Sequence, residues 1–225
     1  MEANPPTVGS VTVTYNSAAV VERHIACLSA LKGLTSISVI DNRSTDDTWD
    51  RLEQLATATA GPQIRIEQAP RNLGFGAANN LAAAGVDTDL LLLVNPDVFI
   101  DDPDLLAEAM GSFDDPTVAM VGCGLYRADG TLDHACKRGE PTVMAGLAYQ
   151  LGVDRLVPSL ARYRAGHIGE AEVAPVDAIN GAFMLIRKDA FDRCGGFDER
   201  FWMYAEDLDL CRQLRSSGST VLYRG

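Results

Sequence analysis

Asp89-Leu90-Leu91-Leu92-Leu93-Val94-Asn95-Pro96-Asp97 is five apolar residues in a row, closed by an abrupt polar end. A strand that is apolar throughout is buried on both faces, the condition of a strand at the centre of a parallel sheet. The segments upstream repeat this unit. Val8 to Tyr15 alternates β-branched residues and reads as a strand. A helix follows with Val21, His24/Ile25, Leu28 and Leu31 on one face, and Asn16 or Ser17 placed to cap it. Ser36 to Ile40 is a second strand, stopping at Asp41-Asn42-Arg43-Ser44-Thr45-Asp46-Asp47, and a helix spans Thr48 to Ala58. Ile64 to Gln68 is a third strand, followed by Asn72-Leu73-Gly74-Phe75-Gly76 and a helix to Ala84. The alternation predicts a doubly wound parallel α/β sheet. Ligands of such sheets bind beyond the C-terminal ends of the strands. Tyr15-Asn16, Asp41-Asn42 and Asn95-Pro96-Asp97 all stand at those ends, so they should converge on one crevice.

Downstream the rhythm changes. Asp104 to Phe113 reads as a helix and Val118 to Tyr126 as a strand. Residues 127–172 are weakly patterned, basic around Lys137-Arg138-Gly139 and weakly helical from Val143 to Leu160, as binding loops often are. Pro175 to Ile186 holds Asn180-Gly181-Ala182, where a ligand or another backbone can approach closely. A helix is expected from Tyr204 onward, with Asp207, Leu210, Cys211 and Leu214 on its inward face and Asp209 on its polar side, and Thr220 to Tyr223 is the last strand.

The 225 residues suffice for one sizeable core or two small ones, and 47% hydrophobic with 22% charged content is that of an ordinary globular protein. A net charge of −12 disfavours nucleic acids and anionic lipid surfaces as non-specific partners. Five cysteines, an odd number with no CxxC, disfavour a disulfide framework or structural zinc and fit a reducing cytoplasm. Leu90 to Val94 is too short to span a bilayer, and Glu2, Asn4, Pro5 and Pro6 interrupt any signal peptide.

Several residues have the chemistry of a site. Asp207, at a helix start beside aromatics, reads as a general base or as a carboxylate that favours the helix dipole. Asp41 reads as an acceptor for a pyrimidine imide or ribose hydroxyl, or as an ordinary turn residue. Asp97 is placed to hold a divalent cation on a diphosphate. His24 reads as a packed core histidine. The glycine-rich run Arg71 to Asn79 fails as a dinucleotide fingerprint, because Asn79 stands where Gly or Ala is wanted and the turn follows the third strand.

Taken together, Val11-Thr-Val-Thr-Tyr-Asn16, Val39-Ile-Asp-Asn42 with Ser44-Thr45-Asp46, Asn72-Leu-Gly-Phe-Gly76 with Asn79, Leu93-Val-Asn-Pro-Asp97, Asn180-Gly-Ala182 and Phe197-Asp-Glu through Phe201-Trp-Met-Tyr-Ala-Glu-Asp-Leu-Asp-Leu210 resemble the family 2 glycosyltransferases, in their rhamnosyltransferase-like branch. The resemblance implies a GT-A fold, Rossmann-like, with a mixed, mostly parallel central sheet flanked by helices. It implies a nucleotide-binding half over about 8–100 and an acceptor-binding half over about 101–225 of a single domain. It also implies inverting transfer from a nucleotide-diphospho-sugar, with a dTDP- or UDP-sugar as donor, dTDP-L-rhamnose foremost. The implied acceptor is a cell-envelope glycan or lipid-linked sugar, reached by peripheral association with the inner face of the membrane.

Carried over by position, Tyr15, Asn16, Asp41, Asn42, Arg71, Gly76, Asn95 and Asp97 fall at the nucleotide-sugar, with Mg²⁺ or Mn²⁺ on Asp97. Gly181, Ala182 and Trp202 border the donor sugar or acceptor. Asp207 is the base, and Glu206 orients it or touches the acceptor. Asn95 replaces a second aspartate common in the family. The family usually continues into a histidine-bearing segment and a C-terminal helix; this chain ends at Gly225, and His134 and His167 do not match that position. Two other classes compete: a sugar-nucleotide-binding or partner-binding remnant without catalysis, and a sugar nucleotidyltransferase. The latter needs a glycine-rich phosphate loop after the first strand, which Tyr15-Asn16-Ser17 lacks.

Overall fold

The computed structural model describes residues 5–58, 61–139, 165 and 167–225. Eight strands form one sheet: β1 (Val8–Thr14), β2 (Leu34–Asp41), β3 (Gln63–Gln68), β4 (Leu90–Val94), β5 (Val118–Cys123), β6 (Val173–Pro175), β7 (Phe183–Arg187) and β8 (Thr220–Arg224), in spatial order β3-β2-β1-β4-β7-β5-β8-β6. The described helices are α1 (Val21–Ala30), α2 (Thr48–Ala58), α3 (Phe75–Ala83), α4 (Leu105–Met110), α5 (Lys188–Arg193) and α6 (Glu206–Ser216).

β4 lies inside the sheet, and its apolar run serves both faces. Leu91 and Leu93 enter one core with Ala78 and Ala82 of α3, Phe191 of α5 and Leu210 and Leu214 of α6. Leu90, Leu92 and Val94 enter the other with Ile25 and Leu28 of α1, Leu52 of α2 and Leu106 of α4. Successive side chains on a strand point to opposite faces, so a strand covered on both must be apolar at every position.

The sheet is mixed. β1 pairs in parallel with β2 and β4, and β5 with β8, but β7 runs antiparallel to both β4 and β5, and β6 antiparallel to β8. The purely parallel sheet read from the first hundred residues therefore stops at β4. The reversal puts the start of β7, with Gly181 and Ala182 before it, at the C-terminal end of β4. Asn95 N–H donates to the Ala182 carbonyl across that join (3.0 Å).

Other boundaries differ for local reasons. α1 has Val20 at its N-cap with no side-chain cap, so neither Asn16 nor Ser17 caps it; the Ser17 carbonyl instead accepts from Val20 and Val21 N–H (3.0 Å each). The stretch read as a helix over Asp104 to Phe113 tightens into a 3₁₀ turn from Gly111. β5 ends at Cys123, and Tyr126 forms an isolated bridge with Leu132. Pro175 to Ile186 splits into the ends of β6 and β7. α6 starts two residues later than Tyr204, because Tyr204 (φ 70°) and Ala205 (φ 76°) are left-handed. The helix expected over Val143 to Leu160 lies outside the described residues.

Candidate active site

The first cluster stands at the ends of β1 and β2. Asp41 is fully buried. Its Oδ1 accepts from the hydroxyls of Thr14 (3.2 Å) and Ser44, and its Oδ2 from Ser44 N–H (3.0 Å) and Gln68 Nε2 (3.1 Å). A carboxylate offers about four lone-pair sites, so Asp41 is saturated and fixes the loop that follows it. Asn16 (φ 51°) donates its N–H to Ser44 Oγ (2.8 Å), and its Oδ1 accepts from Thr45 N–H (2.8 Å). Tyr15 beside it is half exposed, and Arg71 stands exposed beyond β3. Asn42 Nδ2 donates to Asn72 Oδ1 and the Gly74 carbonyl (3.0 Å each), while its Oδ1 accepts from Leu73 N–H (2.8 Å). It thereby ties this loop to the start of α3.

The second cluster follows β4. Asp97 is exposed and, with Asn95, Ala182, Tyr126 and Arg127, lines a cavity of about 770 Å³. The turn that carries Asp97 is held from below by His24, which sequence reading took as core alone. The ring is buried, with Nδ1 3.0 Å from the Val98 carbonyl and Nε2 2.9 Å from the Thr12 hydroxyl. A carbonyl only accepts, so Nδ1 carries the proton and Nε2 accepts from Thr12. Burial holds the imidazole below its ordinary 6.5 and keeps this neutral arrangement. Among the described residues no three His, Cys, Asp or Glu side chains converge as a metal cage. The donor set fits Mg²⁺ or Mn²⁺ in one way: a hard carboxylate oxygen from Asp97, with substrate phosphates and water as the remaining ligands.

The third cluster is the first turn of α6. Glu206 and Asp207 are both buried there. Asp207 Oδ1 accepts from Leu208 N–H (2.8 Å) and Oδ2 from Gly181 N–H (3.2 Å). Gly181 is thus the hinge of the site: its neighbour Ala182 joins Asn95, and its own amide holds Asp207. A Cβ at Gly181 would stand 3.1 Å from the Phe75 ring, so a larger residue would fit only if that ring gave way by a few tenths of an ångström. Glu206 is different. Its Oε2 is buried with no hydrogen-bond partner among the described residues, and its carboxyl is pushed up, first by burial and then by the Asp207 charge. The two adjoining carboxyls thus differ in surroundings: burial makes Glu206 hold its proton to higher pH than an ordinary carboxyl, while Asp207 is fixed by two backbone N–H groups.

Trp202, Met203 and Tyr204 stand exposed just before this turn. The Trp202 carbonyl accepts from Phe75 N–H (3.0 Å), and Gly76 is buried beneath, where a Cβ would lie 3.1 Å from Phe197 and 3.8 Å from Glu206 Cβ. Gly76 therefore packs under the carboxylate turn and does not line the open crevice. One residue missing from the sequence reading reaches Asp207: Arg138 Nη1 lies 3.8 Å from Oδ2. Only the basic run at Lys137-Arg138 hinted at it.

Residues 10–194 match the family model described as Glycosyl transferase family 2, a span that ends before the Glu206-Asp207 turn. The chain is 30% identical over 228 residues to N-acetylglucosaminyl-diphospho-decaprenol L-rhamnosyltransferase of Mycobacterium tuberculosis, covering 95% of this chain and 72% of that one. It is 30% identical over 160 residues to rhamnosyltransferase WbbL of Escherichia coli K12, covering 67% and 57%. The structure resembles mannosyltransferase PcManGT from Pyrobaculum calidifontis, solved with GDP-Man and Mn²⁺, with a TM-score of 0.71 at 18% identity over 99% of this chain and 57% of that one. It also resembles S. aureus TarS solved with UDP, with a TM-score of 0.65 at 18% identity over 96% and 60%. The chain thus spans less than two thirds of these solved relatives. The fold is GT-A, and the chain belongs to the family 2 glycosyltransferases.

Proposed function

We propose that this protein is an inverting glycosyltransferase of cell-envelope glycan synthesis that moves a sugar, L-rhamnose from dTDP-L-rhamnose, to a hydroxyl of a lipid-linked glycan. The observation that supports the reading is the hydrogen-bonded path Asn95–Ala182, Gly181–Asp207, which links the turn after β4 that carries Asp97 to the carboxylate of α6. In the reaction an acceptor oxygen attacks the anomeric carbon as the bond from that carbon to the diphosphate oxygen breaks in line. The acceptor proton passes to Asp207, and the nucleoside diphosphate leaves. A cation bound at Asp97 would supply positive charge against the charge gathering on the diphosphate.

The chain's own residues do the rest. Gly181 N–H and Leu208 N–H fix the Asp207 carboxylate, and the loop built on Asp41, Asn42 and Asn16 frames the nucleotide. Trp202 offers a stacking face to the acceptor. The names of the rhamnosyltransferase relatives support the donor and the lipid-diphosphate acceptor. The lipid-diphosphate substrate in the name of the Mycobacterium tuberculosis relative supports peripheral association with the inner face of the membrane.

The test is release of dTDP from dTDP-L-rhamnose with an N-acetylglucosaminyl-diphospholipid acceptor, in wild type and Asp207→Asn. A general base contributes roughly 10²–10⁴ in rate, and the variant should lose that much while its dTDP/Mn²⁺ thermal shift persists. Equal turnover in the two proteins would remove Asp207 from the mechanism.

A further inference from the structure

The Arg138 contact is not explained by the proposed reaction. Both side chains are mostly withdrawn from water, Arg138 21% and Asp207 12% exposed. Arg138 also starts from a fixed backbone. Its N–H donates to the Ala178 carbonyl (2.7 Å) and its carbonyl accepts from Ala178 N–H (2.9 Å), three residues before Gly181. Lys137 points the other way and is buried. Its Nζ donates to the carbonyls of Ile168 (2.6 Å) and Gly169 (3.1 Å) and lies 4.7 Å from the Tyr223 ring centre. Two adjacent cations thus anchor this segment, one into the fold and one toward the carboxylate turn.

The charge around that turn needs a counterpart. Glu206, Asp207 and Asp209 share the first turn of α6. Asp209 turns outward to Gln213 Nε2 (2.7 Å). Arg215 on the same helix is engaged with Asp177 (2.9 Å), and Arg200 with Asp198. Among the described residues, Arg138 is the cation within ion-pair reach of the Glu206-Asp207 pair. Removing one partner of a mostly buried ion pair leaves the other charge without its counterpart, which is costly, so the contact should couple Arg138 to the placement of Asp207.

We infer that Arg138 is a positioning residue, holding the Asp207 side chain in its aim within the Glu206-Asp207 turn. The catalytic meaning of this inference rests on the transferase reading above; the pairing itself does not. A single contact at 3.8 Å asks for charge more than for a two-pronged fork, so lysine should substitute in part.

Two measurements test it. The first is a double-mutant cycle on urea unfolding at pH 7.5 with wild type, Arg138→Gln, Asp207→Asn and the double variant. The double variant should be more stable than the sum of the single effects allows, because removing Asp207's charge relieves the loss of Arg138. An Arg138→Gln protein too unstable to purify, rescued by adding Asp207→Asn, gives the same answer. Additive effects, or no rescue, overturn the inference whatever sugar the enzyme moves.

The second is dTDP release from dTDP-L-rhamnose with the diphospholipid acceptor. Arg138→Gln should lower kcat by roughly 10²-fold, the smaller end of a base's contribution, with donor KM within about twofold of wild type. Arg138→Lys should recover most of that loss. A fall confined to donor KM, or equal falls in the glutamine and lysine variants, would overturn the positioning role. A wild type inactive with every nucleotide sugar would count against the transferase reading alone, and the stability cycle would still decide the pairing.

Discussion

Asp207 and Glu206 are neighbours in sequence with opposite fates, and the difference is one of hydrogen bonds. Asp207 receives two backbone N–H groups and lies beside a guanidinium; Glu206 has a buried oxygen without a partner among the described residues. Burial raises the Glu206 carboxyl above its ordinary 4.5, so the folded protein holds that proton to higher pH than the unfolded chain does. The stability this contributes is fully present below pH 4.5 and is lost as pH rises through the folded value. Glu206→Gln fixes the neutral form. Its Tm minus that of wild type should therefore grow between pH 4.5 and pH 8, and a difference that stays flat with pH would show that Glu206 is not perturbed. Asp207 was legible in the sequence because its helical spacing with Leu210, Cys211 and Leu214 marks the inward face, and all four are buried. The saturation of Asp41 was not, because its donors come from three separate segments, around Thr14, Ser44 and Gln68. Arg138 was hidden for a similar reason. It reaches Asp207 across 69 positions of chain, from a segment with no periodic signal.

The glycine-rich element Asn72 to Gly76 resembles a phosphate loop in composition, yet its glycines serve a packing contact. Gly74 has φ +84°, and a Cβ on it would come within 2.2 Å of the Trp202 carbonyl oxygen. That carbonyl accepts from Phe75 N–H, so α3 begins where the aromatic loop ends. The loop then passes through two left-handed non-glycine residues, Tyr204 and Ala205, before Glu206. Such residues cost about 1–3 kcal/mol each and persist where surrounding contacts fix them, commonly at functional sites. Gly74→Ala adds crowding to a strained φ, with overpacking alone worth about 1–3 kcal/mol. Gly218 has φ +87° with nothing within 4 Å of its Cβ position, so Gly218→Ala carries the φ cost alone. Gly74→Ala should destabilise more than Gly218→Ala in urea unfolding and should shift the fluorescence of Trp202. Equal losses, with the emission unchanged, would mean that the Gly74–Trp202 junction does not shape the loop. The sequence marks these glycines as a turn; what the turn packs against depends on a segment more than a hundred residues away.

At the scale of the whole molecule, the question is whether the portions before and after about residue 100, proposed above to bind nucleotide and acceptor, are separate cooperative units. The sheet argues that they are one. β7, from the later part of the chain, is paired along all five residues of β4, from Leu90 with Arg187 to Val94 with Phe183, and pairs with β5 on its other side. Each core draws on both portions: Val11 and Leu93 with Phe197 and Leu210 on one face, Val8 and Leu92 with Val121 and Phe183 on the other. The two portions therefore share one sheet, and the two cores are its two faces. The alternating first hundred residues made four strands and their direction legible. The reversed β7 was not, because a five-residue apolar strand carries no mark of its direction, which is set by partners. Chains above about 150 residues often unfold through intermediates, so single-step unfolding would be informative. The two tryptophans, Trp49 in α2 and Trp202 in the aromatic loop, allow the comparison. Trp49→Phe and Trp202→Phe, each followed by its remaining tryptophan and by far-UV circular dichroism, should give coincident urea midpoints. If the Trp202 signal were lost well before the circular dichroism while Trp49 held, the later portion would open on its own. The shared cores would then be too weak to couple the carboxylate turn to the nucleotide loop.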